Sequence, residues 1–171
     1  MQDTDPAFAS LRDRITNTRR LAIVGIGDEC TPPDRPGMHA AREIKKENLP
    51  GVEVFLAGTV PESITGPLRR YRPDHVLFLD AADMGARPGI IAVIEPEHIP
   101  ATLVSTHVLP LSVVMEYVER ETGAEITLLG IQPDLSGADM DLADQDLAYL
   151  DRNLRLLFQV IRDRPVSPGE E

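Results

Sequence analysis

Leu21-Ala22-Ile23-Val24-Gly25-Ile26-Gly27 decides the fold. No residue in this run carries a polar side chain, and it ends in glycines. Such a run reads as a strand buried on both faces, the habit of parallel sheets covered by helices. Around it, strand and helix patterns alternate. Phe8, Leu11 and Ile15 fall at helical spacing in a short helix over about Asp5 to Thr16. A loop from Asp28 to Gly37 holds three prolines, and a helix is expected from about Met38 to Glu47. Val52 to Leu56 reads as a second strand, closed by Ala57-Gly58-Thr59. Pro61 suits the first turn of a helix running to about Arg70.

Asp74 to Asp80 and Ile90 to Ile94 are the next strands, and Pro110 opens a helix to about Thr122. Ile126 to Ile131 is another strand. The last helix, about Asp144 to Asp163, sets Leu147, Leu150, Leu154, Leu157 and Ile161 on one face. The pattern predicts a three-layer α/β/α fold around a mostly parallel twisted sheet, of the phosphorylase/hydrolase-like kind. The expectation is a single domain over 1–171, with its core at about 20–163 and a frayed tail at 165–171.

Composition narrows the function. Aromatics are few (Phe 4, Tyr 3, Trp 0), so the core must be aliphatic. The net charge of −11 argues against nucleic acid, whose phosphates call for clustered Lys and Arg. Arg19-Arg20, Lys45-Lys46 and Arg69-Arg70 read as solvated surface. Cys30 is the one cysteine, so an intramolecular disulfide is excluded, which fits a reducing cytoplasm. No apolar run reaches the roughly 18 residues of a membrane span, and Met1 to Arg20 shows no signal-peptide core. A cytoplasmic protein without membrane or nucleic-acid partners is expected.

In Leu77-Phe78-Leu79-Asp80-Ala81-Ala82-Asp83-Met84-Gly85-Ala86-Arg87-Pro88-Gly89 an apolar strand runs into an acidic loop. Asp80 stands at the carboxyl end of the strand, where open α/β sheets gather ligands. A carboxylate there needs a partner, because an unpaired buried charge is too costly. Asp34, from the loop after the first strand, and His107, from the loop before the Pro110 helix, reach the same edge. Singly, each has a plain alternative: Asp34 as a cap or turn residue, Asp80 as a cap or ion-pair member, His107 as a polar surface residue. Together they make an N/O donor set suited to a borderline divalent metal such as Ni, Zn or Fe. Two carboxylates also suffice for acid–base activation of a water. Asp83 reads as a turn former, and Cys30 as a small buried hydrophobe near the site.

Gly25-Ile26-Gly27 imitates the start of a dinucleotide fingerprint, but Cys30 replaces the third glycine and prolines follow. The second strand ends in Ala57-Gly58 without the acidic residue that binds a ribose. Close packing at a sheet switch point explains the glycines better, and a nucleotide-binding module is kept as a rival reading.

These residues resemble the nickel–iron hydrogenase maturation endopeptidases, especially the formate-hydrogenlyase type. The resemblance rests on Gly25-Ile26-Gly27, Ala57-Gly58-Thr59 with Pro61-Glu62, Asp80 to Gly89, Thr106-His107-x-x-Pro110, and Leu129-Gly130-Ile131-Gln132-Pro133-Asp134. It implies an aspartyl-type peptidase that removes a C-terminal extension from the hydrogenase large-subunit precursor after nickel insertion. It implies catalytic roles for Asp34 and Asp80, and nickel recognition by Asp34, Asp80 and His107. The resemblance implies that the nickel is brought by the substrate, which leaves the site of the protein itself empty or holding a surrogate divalent ion. Gly27-Asp28 and Pro33-Asp34-Arg35 depart from the family's first loop, which motivates a second rival, a checkpoint that binds the precursor without cutting it.

Overall fold

The structure is a computed structural model that describes residues 6–99, 109–137 and 144–164. Its strands are β1 (Leu21–Ile26), β2 (Val52–Gly58), β3 (His75–Ala81), β4 (Ile91–Ile94) and β5 (Glu125–Ile131). Its helices are α1 (Pro6–Arg14), α2 (Pro36–Glu47), α3 (Thr65–Tyr71), α4 (Leu111–Thr122) and α5 (Asp144–Arg162). The strands form one sheet in the order β2-β1-β3-β5-β4.

β1 lies between β2 and β3, parallel to both, with Leu21 level with Val52 on one side and His75 on the other. β3 pairs parallel with β5, and only β4 runs antiparallel, at the edge. The chain leaves β1 to one side for β2 and returns to the other for β3. The sheet's switch point therefore lies between the ends of β1 and β3, where α/β sheets place their ligands.

Side-chain alternation divides the core. Leu21, Ile23, Leu77, Leu79, Leu129 and Ile131 meet α1, α2 and α5 on one face. Ala22, Val24, Ile26, Val76, Phe78 and Leu128 meet α3 and α4 on the other. Phe78 is the largest side chain fully removed from solvent. Cutting such a residue to alanine costs about 3–5 kcal/mol. The three-layer expectation thus holds.

Two local readings differ. α2 starts at Pro36, ahead of the expected Met38, because a proline at the first helical position loses no hydrogen bond. Leu147 is 43% exposed, although Leu150, Leu154, Leu157 and Ile161 are buried as expected. At that end α5 meets the core through its backbone: a Cβ on Gly89 would lie 3.0 Å from both the Asp146 carbonyl and the Leu150 nitrogen.

Candidate active site

Asp80 is fully buried near the end of β3, and its Oδ1 accepts the Ala81 backbone N–H at 2.8 Å. Beyond it, the loop to β4 is held from β5. Gln132, itself buried, accepts the Met84 N–H at 2.6 Å and the Ala86 N–H at 3.3 Å through Oε1. Its Nε2 donates to Asp83 Oδ1 and to the Pro133 carbonyl, both at 3.3 Å. Asn153 on α5 donates to the Gly89 carbonyl at 2.8 Å, and Arg87 pairs with Asp146 at 3.0 Å. Asp83 is the expected turn former, accepting the Gly85 N–H at 3.1 Å.

The first loop folds back over the sheet edge. Gly27 has φ +128°, and a Cβ there would lie 1.9 Å from the Asp34 carbonyl oxygen. Only glycine permits this approach. The Asp28 N–H donates to Asp34 Oδ2 at 2.8 Å. Asp28 in turn accepts the Cys30 N–H and the Thr31 hydroxyl, each at 2.9 Å. Those donors hold the Asp28 carboxyl below the usual carboxylate range, the Cys30 amide chiefly. Glu29 receives Arg42 of α2 through both oxygens, at 2.5 and 2.8 Å, and Arg35 Nε donates to the Glu29 carbonyl at 2.8 Å.

The short 3₁₀ turn Pro32–Asp34 packs on β3. Gly37 completes the seat: a Cβ there would lie 2.3 Å from the Leu79 carbonyl and 2.4 Å from that of Ile26. Asp34 and Asp80 thus stand at the same edge of adjacent strands, at the positive end of the α2 dipole, which stabilises negative charge.

His107 lies outside the described residues. Cys30 corrects its sequence reading: it is exposed, not a buried hydrophobe, because the loop turns on the Asp28 carboxylate and leaves that side chain facing water. His75 sits at the opposite edge, buried and 2.9 Å from Thr127 Oγ1. Among the described residues no group of three His, Cys, Asp or Glu is placed to hold a metal ion. Gln132 carries a role the sequence reading missed. Its signal was a polar amide directly after an apolar strand, where a buried side chain must find partners. The dinucleotide reading loses its physical basis, since the Asp34 backbone fills the space against Gly27 that a pyrophosphate would need.

Comparison with known proteins identifies the family. A family model described as hydrogenase maturation protease matches residues 38–147, a span that includes Asp80 and His107 and begins after Asp34. A protein of Methanocaldococcus jannaschii named for the same activity is 35% identical over 133 residues, covering 73% of this chain and 79% of its own length. The hydrogenase 3 maturation protease of Escherichia coli K12 is 38% identical over 85 residues, covering 49% of this chain and 54% of its own. The crystal structure of the NiFe hydrogenase maturation protease HycI from Thermococcus kodakarensis superposes with a TM-score of 0.76 at 30% identity, over 90% of this chain and 99% of that one. Matched in sequence and in fold across most of its length, the chain belongs to the hydrogenase maturation protease family and is an endopeptidase of that family.

Proposed function

We propose that this endopeptidase removes a C-terminal extension from the large-subunit precursor of a nickel–iron hydrogenase, in the cytoplasm, once nickel has been inserted. The observation that carries the reading is the seating of the first loop on the end of β3, beside Asp80, in a chain of this protease family. The precursor's nickel belongs to the substrate. Two carboxylates and an imidazole, from Asp34, Asp80 and His107, suit such a borderline divalent ion. Bound nickel supplies Lewis acidity to a nearby carbonyl.

The remaining chemistry falls to the chain. The Ala81 N–H fixes the plane of the Asp80 carboxylate, and the Asp28 N–H fixes Asp34. A carboxylate held in this way orients the scissile peptide and takes a proton from the attacking water, the aspartyl-type role. The test is mass spectrometry of purified precursor, with and without nickel, after incubation with the enzyme. Loss of a C-terminal fragment from the nickel-loaded precursor alone supports the proposal. Binding with no change in mass favours the checkpoint instead.

A further inference from the structure

In sequence, Arg19-Arg20 and Arg69-Arg70 read as unrelated surface; in the fold, Arg20, Arg69 and Arg70 meet. An open cleft of about 670 Å³ is lined by Arg20, Gly66, Arg69, Arg70 and Arg72. Arg20 directly precedes β1, and Arg72 lies three positions before β3. The cleft is therefore at the N-terminal edge of the sheet, opposite Asp34 and Asp80, and a strand of β1's length spans roughly 20 Å.

Two of the guanidinium groups are held in place. Arg20 lies 4.5 Å above the centre of the Tyr71 ring and donates to the Tyr71 carbonyl. The ring is fixed by its hydroxyl, which donates to the Gly51 carbonyl at 3.3 Å, and by an edge contact with Phe55. Arg69 pairs with Glu121 at 3.2 Å. Arg70 and Arg72 are exposed, and their guanidinium groups make no hydrogen bond or ion pair among the described residues. Arg72 also caps α3 with φ +54°, a left-handed conformation that suits glycine or asparagine better, as at Gly123 and Asn48. A chain of net charge −11 thus gathers four of its 17 basic residues around one cleft, and of their guanidinium groups only that of Arg69 is paired with a carboxylate among the described residues.

We infer that this cleft docks an acidic stretch of the protein substrate, with carboxylates set against Arg70 and Arg72. Guanidinium forks bind carboxylates in paired hydrogen bonds. The cleft is open and has no apolar side chain in its lining, whereas sites for small molecules enclose them between apolar walls. The Tyr71 face that could stack a nucleobase is covered by Arg20. The inference rests on the protease reading only for the identity of the occupant.

The test is fluorescence anisotropy of a labelled glutamate octapeptide with the full chain at low salt. Saturable binding is expected, about tenfold or more weaker in an Arg70→Gln/Arg72→Gln variant and weakened by added salt. Circular dichroism establishes that the variant is folded. A charge-matched Arg152→Gln/Arg155→Gln variant, altered on the exposed side of α5, should bind as wild type does. No binding by wild type, or equal loss in both variants, overturns the inference. So does displacement by inorganic phosphate at an ionic strength where chloride leaves the peptide bound, which marks a small-anion site, or tighter binding of a single-stranded oligonucleotide. The assay involves no cleavage, so its failure and that of the proposed reaction are told apart.

Discussion

Gly37 presses so closely on Leu79 that a Cβ on Gly37 would lie 2.3 Å from the Leu79 carbonyl oxygen. This contact seats the N-terminus of α2 on the end of β3, one residue before Asp80. Gly37→Ala must push the helix off the strand ends, since backbone lies against it on two sides. A loss of about 1–3 kcal/mol in stability is expected for such overpacking. Urea denaturation measures it, and an unchanged midpoint would remove Gly37 as the reason the first loop sits where it does.

Gln132 holds the loop after Asp80 through the Met84 and Ala86 amides and the Asp83 carboxylate. Gln132→Leu keeps the bulk and removes the acceptor of the Met84 and Ala86 amides, while Asp83 keeps its bond from the Gly85 N–H. A fully buried polar group left unsatisfied costs about 1–3 kcal/mol, and these half-buried amides should lose less than that. Amide hydrogen exchange at Met84 and Ala86 should accelerate, while exchange in β1 follows only the global change in stability.

His75 makes stability depend on pH. Burial is the main cause pushing its pKa below the usual 6.5, against the pull of Glu125. The folded state therefore resists a proton that the unfolded chain accepts. The stabilising contribution is complete above about pH 6.5 and declines as pH falls from there toward the lower folded value. His75→Gln, which can still bond Thr127, should lose less stability than wild type between pH 7.5 and pH 5.5. Equal losses in urea midpoint would assign the dependence to other groups.

The layers were legible in sequence wherever burial is continuous. Leu21 to Gly27 and Leu77 to Leu79 lack polar side chains because helices cover both faces of the sheet. The direction of β4 was not legible, because hydrophobic periodicity carries no strand polarity. Asp80 announced itself as a charge at the end of an apolar run. The path of Asp34 did not, because the first loop is built from bonds between aspartate side chains and backbone amides, which leave no periodic trace. The exposure of Cys30 follows from that same local turn. The arginine cleft was hidden for another reason: Arg20 and Arg72 are remote in sequence and meet only when β1 and β3 pair.

Gly27→Ala tests the first loop from its other end. The added methyl would collide with the Asp34 carbonyl at a backbone angle that side chains rarely adopt. The loop should be displaced and precursor cleavage should fall with it. Peptide mapping of the precursor after incubation measures this, and full activity would separate the position of Asp34 from the reaction.

The most direct measurement is the initial rate of cleavage of nickel-loaded precursor by wild type, Asp80→Asn and Asp34→Asn, read by mass spectrometry, with thermal melts to confirm folding. A carboxylate acting as acid or base is worth about 10²–10⁴-fold in rate. Folded Asp80→Asn and Asp34→Asn proteins should each be slower by at least about a hundredfold. Cleavage by folded Asp80→Asn at the wild-type rate would show that the reaction does not take place at this edge of the sheet.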